Sequence, residues 1–180
     1  MTTNKEFDVP LEKLSESADQ MLSDPDWMVR HEFALRCPPE RLPEFSDRLM
    51  DDVDTDVRWQ FADRCPAERL PEFADKLLAD QSDNVRYAFA RRCPVNRLVE
   101  YADQLLSDPY YGVRRQFARR CPAERLPDFA ERLLADEDWG VRLACASRCP
   151  AERLADFADR LLADADLAVR ITATQRIHPA

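Results

Sequence analysis

The chain has 180 residues, of which 45% are hydrophobic and 34% charged, with only two glycines and a formal net charge of −9. Two glycines are too few for a turn-rich β protein, and the charged fraction indicates helices with solvated faces. The negative charge argues against broad binding to nucleic acid or to anionic membranes, because both would repel the chain at long range. No apolar run approaches the roughly 20 residues of a membrane span.

A 28-residue repeat runs along the chain. Cys-Pro recurs at that interval, at Cys37, Cys65, Cys93, Cys121 and Cys149. Val-Arg recurs on the same period, at Val29, Val57, Val85, Val113, Val141 and Val169. A lone pair of short helices cannot bury its apolar face, so successive pairs must stack. The sequence therefore predicts an all-α solenoid of six tandem 28-residue two-helix repeats, in a single domain over residues 1–180.

The first helix of each repeat, helix A, is predicted to run from an acidic residue through Val-Arg to the cysteine. Val29, Phe33 and Cys37 are spaced i, i+4, i+8 and form one apolar stripe. The acidic residue lies at or near the N-cap, where a carboxylate accepts unpaired backbone N–H groups. The six acidic residues are Asp24, Asp52, Asp80, Asp108, Asp136 and Asp164. The last helix A is expected to end near residue 177.

The second helix, helix B, is clearest in the copy that contains Pro127. Its predicted buried face comprises Leu126, Phe129, Ala130, Leu133 and Leu134. The stretch Cys-Pro-Ala-Glu-Arg-Leu before it favours a 3₁₀ turn over α-helix, so each repeat is predicted to be an α/α or an α/3₁₀ pair. The first helix B is predicted to start at residue 10.

At this point the motifs match a known family. The segment Asp-Pro-Asp-Trp-Met-Val-Arg from Asp24 to Arg30, then Cys-Pro and a Leu-rich stretch ending in Leu-x-x-Asp, resembles the leucine-rich repeat variant. That family is similar to HEAT-type solenoids, and the resemblance implies alternating α and 3₁₀ helices in a right-handed superhelix. Some members carry an N-terminal four-cysteine iron–sulfur segment and are associated with nitrogen-fixation genes. This chain has no cysteine before Cys37, so the cluster is not carried over.

The cysteine series is predicted to be core rather than chemistry. Equivalent residues in adjacent repeats should lie about one helix spacing apart, roughly 8–10 Å, beyond the limit of about 7 Å between the Cα atoms of a disulfide. Val9 and Ile177 occupy the equivalent position at the two ends, so the position accepts aliphatic residues. Cys145 occupies a phenylalanine position and is also expected in the core. Metal binding or redox chemistry at the cysteines is the alternative.

An acidic triplet suggests calcium. Asp52, Asp54 and Asp56 resemble the start of a calcium loop, with Asp63 at its twelfth position. Such a loop needs glycine at the sixth position, where this chain has the helix A residue Val57. The triplet is therefore interpreted as helix capping, and no metal site is predicted.

The arginine that follows each repeated valine recurs with carboxylates at a fixed offset. A ladder of arginine–carboxylate pairs between successive repeats is the favoured interpretation. A row of phosphate-binding arginines is the alternative. The series is Arg30, Arg58, Arg86, Arg114, Arg142 and Arg170.

Little in the sequence points to catalysis. His31 and His178 lie at opposite ends of the array, and no Gly-rich loop is present to hold phosphate. The chain is predicted not to be an enzyme and to need no cofactor. Because the N-terminus has no apolar signal region, we expect a cytoplasmic protein with free thiols.

Positions that vary between repeats are free to specialise. Two helix A positions four residues apart lie away from the apolar stripe and are expected to form an exposed strip. Aromatic residues beside arginines are typical of protein-binding hot spots. With the turn before helix A, the predicted partner-binding residues are Trp27, His31, Trp59, Asp63, Tyr87, Arg91, Tyr111, Arg115, Arg119, Trp139 and Leu143.

The leading hypothesis is a monomeric, non-enzymatic interaction scaffold that binds another protein through this strip. Two alternatives stay open. One is an accessory protein of iron–sulfur or nitrogen-fixation metabolism, and the other is a HEAT-like protein that binds nucleic acid through its basic middle repeats. Membrane binding is not expected.

Overall fold

The computed structural model describes residues 17–178. Every regular element in this range is an α-helix or a 3₁₀-helix, which confirms the all-α prediction. None of these helices has both the length and the apolar composition needed to cross a membrane. The predicted helix start at residue 10 and the comparison with Val9 fall outside the described residues. The chain divides into an N-terminal unit, Met1–Ala88, and a C-terminal unit, Phe89–Ala180.

Longer α-helices recur at a 28-residue interval and correspond to helix A. They are Trp27–Arg36, Thr55–Arg64, Asp83–Arg92, Tyr111–Arg120, Trp139–Arg148 and Leu167–Ile177. The 3₁₀-helices are Pro39–Phe45, Ala67–Phe73, Val99–Tyr101, Ala123–Phe129 and Ala155–Phe157. The short α-helices are Ala18–Leu22, Ser46–Met50, Ala74–Leu78, Val95–Leu98, Ala102–Leu106, Ala130–Leu134, Ala151–Leu154 and Ala158–Leu162. Along the described residues one 3₁₀-helix therefore lies between each helix A and the next.

Proline decides how much of helix B is 3₁₀. In the copy with Pro127 the stretch before the short α-helix is 3₁₀ over all seven residues. Where Val99 or Ala155 replaces the proline, the stretch begins with one α-helical turn, Val95–Leu98 or Ala151–Leu154. Proline lacks an N–H group and disfavours the α conformation of the residue before it. The α turn therefore forms only where proline is absent.

The core of the N-terminal unit lies between successive helices A and the short helices that join them. Helix Trp27–Arg36 packs against Thr55–Arg64. Val57, Phe61 and Cys65 have no exposed surface, as their i, i+4, i+8 spacing predicts. The Phe61 ring meets Phe73 of the following 3₁₀-helix edge to face, with 5.3 Å between ring centroids. Such contacts fasten each helix A to its own helix B.

The C-terminal unit repeats this packing. Helix Trp139–Arg148 packs against both Tyr111–Arg120 and Leu167–Ile177. Phe117 is fully buried, and its ring lies 5.2 Å from that of Phe129, edge to face. The predicted buried face of helix B holds for Leu126, Ala130, Leu133 and Leu134. Phe129 is half-buried instead, although its ring contacts that of Phe117.

The start of helix A differs in detail from the prediction. Asp52 lies two residues before the N-cap and accepts the backbone N–H of Asp54 at 2.8 Å. Asp54 is the N-cap, and its side chain accepts the N–H of Asp56 at 2.9 Å. The repeated aspartate therefore closes an Asx turn before the helix, and the next polar residue caps the helix itself. Asp136 and Asp138 have the same arrangement in the C-terminal unit.

Candidate binding surface

The repeated arginines form the predicted ladder inside each unit. In the N-terminal unit Arg58 donates from Nε and Nη2 to the two Asp80 carboxylate oxygens, at 2.8 and 3.0 Å. In the C-terminal unit Arg114 pairs with Asp136 at 2.7 and 2.9 Å. The same bidentate geometry joins Arg30 to Asp52 and Arg142 to Asp164.

The guanidinium groups of these arginines are engaged inside the fold. Arg114 also donates from Nη1 to the backbone oxygens of Asp108 and Pro109, and only 7% of the residue is exposed. The pairs therefore fix one helix A against the turn that begins the next one. The alternative of a phosphate-binding row is wrong for Arg30, Arg58, Arg114 and Arg142, because their guanidinium groups are used inside the fold.

A second series of arginines, not predicted from the sequence, caps the C-terminal ends of helices A. Arg148 donates from Nη1 to the backbone oxygens of Ala118 and Cys121, both at 2.8 Å. Arg64 makes the same contacts to Ala34 and Cys37 in the N-terminal unit. The last carbonyl groups of a helix lack partners within the helix and carry negative partial charge, so a cation there stabilises it.

All six cysteines are buried, free thiols. The Cys121 thiol donates to the backbone oxygen of Pro122 at 3.6 Å, and burial raises the pKa of this thiol to about 11. Burial also raises the pKa of Cys37 and of Cys93 to about 11. Among the described residues no three His, Cys, Asp or Glu side chains come together in a group able to hold a metal ion. The cysteines therefore pack as small apolar groups.

Cys145 and Cys149 differ from the other thiols because they touch each other. The hydrogen bond between them raises the pKa of Cys145, the buried donor, and lowers the pKa of Cys149. Neither residue has exposed surface. Their contact therefore favours ionisation of Cys149 over that of Cys145.

The acidic triplet acts in the fold. Asp52 holds Arg30, and Asp54 caps the helix that contains Asp56. Val57 is fully buried in the core. The capping interpretation is supported, since the carboxylates of Asp52 and Asp54 already accept hydrogen bonds inside the fold.

The predicted strip of the N-terminal unit is less exposed than expected. Trp27 is 37% exposed and meets the His31 ring edge to face at 6.0 Å. The expectation of exposed aromatics at Trp59 and Tyr87 is wrong, since both are half-buried. Asp63 is half-buried as well. The helix that contains Trp59 packs against the neighbouring helix Trp27–Arg36.

In the C-terminal unit the predicted residues line a groove of about 340 Å³ between helices Tyr111–Arg120 and Trp139–Arg148. Trp139 is 49% exposed, Arg119 is exposed, and Arg115 and Leu143 are half-buried. Arg91 and Tyr111 are exposed in the same unit but do not line the groove. The lining residues are Arg115, Arg119, Trp139, Gly140, Leu143, Ala144, Ser147 and Arg148.

Arg115 is held in place at the edge of this groove. Its guanidinium carbon lies 5.4 Å from the centroid of the Tyr111 ring, a cation–π contact. On its other side it crosses Gly140, where an added Cβ would lie 3.2 Å from both Cδ and Nη1 of Arg115. The glycine thus allows the arginine to pass close to the neighbouring helix. This arrangement was not predicted from the sequence, although Gly112 and Gly140 are the only glycines in the chain.

Arg119 presents an uncompensated charge. It makes no ion pair with any residue in the described part of the chain, unlike Arg114 on the same helix. Helix Tyr111–Arg120 contains four arginines and no acidic residue. The groove therefore combines two available guanidinium groups with an apolar wall of Trp139, Leu143 and Ala144.

These features define a helical repeat protein built from stacked α and 3₁₀ helices. The exposed positions of its helices A vary from copy to copy. The chain is similar to a solved structure described as a leucine-rich repeat variant with a novel repetitive protein structural motif, at 33% identity and a TM-score of 0.70. The match covers 93% of this chain and 61% of that one, so the chain spans about three fifths of the protein it resembles. The predicted resemblance is confirmed. No protein-family model and no curated protein matches the chain.

Proposed function

We propose that the chain is a non-enzymatic scaffold that binds another protein through the variable residues of its helices A. The groove beside Trp139 carries this proposal, because it brings an exposed indole and two available arginines together. Aromatic and arginine side chains dominate the binding energy of protein interfaces. The similarity to a helical repeat structure agrees with this role, since such proteins present extended binding surfaces.

The finer architecture belongs to the same proposal. We take the chain to be one array of six 28-residue repeats in a right-handed superhelix, as the leucine-rich repeat variant implies. The buried parts of helix A are nearly constant between copies, so partner specificity would come from the positions that vary. A cytoplasmic location stays a prediction.

The test compares partner capture by two surface variants and a matched control. One variant carries Trp139→Ala with Arg115→Glu in the C-terminal unit, and the other carries Trp27→Ala with Leu35→Ala in the N-terminal unit. The control, Val95→Ala with Arg125→Glu, removes an exposed apolar side chain and an exposed arginine outside helix A. Each protein is used as bait in an extract of the native host.

We expect at least one helix A variant to lose a partner that the unaltered chain and the control retain. Circular dichroism and melting temperature should stay unchanged, because surface substitutions away from special contacts alter stability by less than about 0.5 kcal/mol. Equal capture by all four proteins would contradict the proposal.

A further inference from the structure

We propose that the groove between helices Tyr111–Arg120 and Trp139–Arg148 binds an extended peptide segment in which a large apolar side chain stands beside acidic ones. The inference rests on the proposed scaffold function and names the chemistry of the partner. Three features carry it, which are the charge on one wall, the apolar surface on the other, and the size of the space between them.

The charged wall selects carboxylates. Arg115 and Arg119 are four residues apart on one helix, so their side chains project from the same face. The other two arginines of this helix are engaged, Arg114 with Asp136 and Arg120 with the backbone oxygen of Ala90. A guanidinium group matches a carboxylate with two parallel hydrogen bonds. The pair can therefore hold the side chains of one or two acidic residues.

The apolar wall selects a large side chain next to those acids. Trp139 leaves about half of its surface exposed, and Leu143 and Ala144 continue the wall along the same helix. Covering apolar surface is worth roughly 25 cal/mol per Å². An aromatic or aliphatic side chain seated against the indole would place its neighbouring carboxylates within reach of the arginines.

The size and surroundings of the groove favour a short peptide over a nucleic acid. Its volume of about 340 Å³ is near the small end of ligand sites, which range from roughly 300 to 1,000 Å³. The net charge of −9 repels a nucleic acid, which carries a charge at every phosphate, more strongly than a short peptide that carries only one or two carboxylates.

Gly140 shows that the position of Arg115 depends on the neighbouring helix. In four other copies the equivalent residue carries a Cβ, namely Met28, Asp56, Asn84 and Ala168, whereas the fourth copy also has glycine, Gly112. A Cβ at position 140 would press on Arg115 and also lie 3.0 Å from Asp138 Oδ1.

The experiment uses the full chain and fluorescein-labelled pentapeptides, read by fluorescence polarisation. The probe is Gly-Asp-Phe-Glu-Gly. Gly-Asn-Phe-Gln-Gly lacks the carboxylates, Gly-Asp-Gly-Glu-Gly lacks the apolar side chain, and inorganic phosphate and a twelve-nucleotide single-stranded DNA serve as competitors. We expect saturable binding of the probe and at least tenfold weaker binding of both altered peptides.

Groove variants then locate the site. Arg119→Glu and Trp139→Ala should each weaken probe binding about tenfold or more, and Gly140→Ala should weaken it by a smaller factor by displacing Arg115. The control Arg132→Glu removes the same charge from an exposed residue that does not line the groove and should leave binding unchanged. Rising salt concentration should weaken binding of the probe, since the arginines face solvent.

Several outcomes would overturn the inference. Equal affinity for the probe and for the peptide without phenylalanine would indicate a general anion site, as would full competition by phosphate. Strong DNA binding lost in Arg119→Glu would indicate a nucleic-acid site. No saturation by the probe at roughly 1 mM protein would exclude a peptide site of this chemistry. If partner capture still depended on helix A in that last case, the scaffold proposal would stand without this inference.

Discussion

The helices Tyr111–Arg120 and Trp139–Arg148, both in the C-terminal unit, have the same length and a similar pattern of buried residues. Their exposed side chains differ in chemistry. Each begins with an aromatic residue, glycine and Val-Arg, and each ends before a buried cysteine. The first presents arginines to the groove between them, whereas the second presents Trp139, Leu143 and Ala144. Constant residues set the spacing of the helices, and the few variable ones decide the chemistry that the spacing encloses.

The same two helices also differ inside. Phe117 occupies the centre of the first stripe, where Cys145 occupies the second. Phe117 packs edge to face against Phe129, whereas the equivalent pair in the next copy is Cys145 and Phe157, which contains only one aromatic ring. Ala158 is half-buried where the equivalent Ala130 is fully buried. The final copies of the repeat are therefore packed less closely than the fourth.

The largest expected loss of stability comes from replacing Phe117 by alanine, and Cys145 is the residue to compare it with. Phe117→Ala should cost about 3–5 kcal/mol of unfolding free energy, because it leaves a large cavity in a fully buried position. Cys145→Ala removes a single sulfur atom and should cost roughly 1 kcal/mol. Urea denaturation followed by circular dichroism measures both. Similar losses in the two variants would mean that the packing difference between the copies has no energetic consequence.

A somewhat smaller loss of stability is expected when the buried pair between Arg114 and Asp136 is broken. Asp136→Ala leaves Arg114 buried without its carboxylate and should cost about 3 kcal/mol, since an unpaired buried charge is strongly destabilising. Asp103→Ala is the control, because its pair with Arg132 is exposed and such pairs contribute little. The same denaturation experiment compares them. A loss for Asp103→Ala as large as that for Asp136→Ala would show that the ladder is not special.

Some of the features that distinguish these two helices can be predicted from the sequence, and others cannot. The apolar spacing of Val113 and Phe117 predicts their burial, and the constant offset of Arg114 and Asp136 predicts their pairing. Arg148 belongs to a series of arginines that recurs at the 28-residue interval, but its acceptors are backbone oxygens that every residue carries, so the sequence does not show what it binds. The groove depends on how close two helices approach at Gly140.

The periodicity of a single helix also does not show how far each of its residues lies from a neighbouring helix. For that reason Trp59 was expected to be exposed and is half-buried. Periodicity assigns a residue to one face of its own helix, but it does not say which faces a second helix covers. Internal comparison of the copies still identified four residues of the groove, Arg115, Arg119, Trp139 and Leu143.

The smallest expected effect is a difference in reactivity between Cys121 and Cys149, the thiols that follow the two helices. With its pKa raised to about 11, Cys121 is ionised in about one molecule in a thousand at pH ~8. The pKa of Cys149 is lowered by the hydrogen bond from Cys145, so a larger share of this thiol is ionised at the same pH. Both thiols are fully buried, so iodoacetamide reacts with them only when the packing around them loosens. Because thiolates are the reactive form, Cys149 should then be modified before Cys121, as resolved by peptide mass spectrometry.

The advantage of Cys149 should widen below pH ~9 and disappear as the pH approaches 11, where Cys121 also ionises. Cys145→Ala is the decisive variant, since it removes the donor and lets the pKa of Cys149 rise towards that of the other buried cysteines. The rate at Cys149 should then fall to that at Cys121. If Cys149 kept its advantage in this variant, local opening near the less closely packed copies would explain its reactivity, and the hydrogen bond would not.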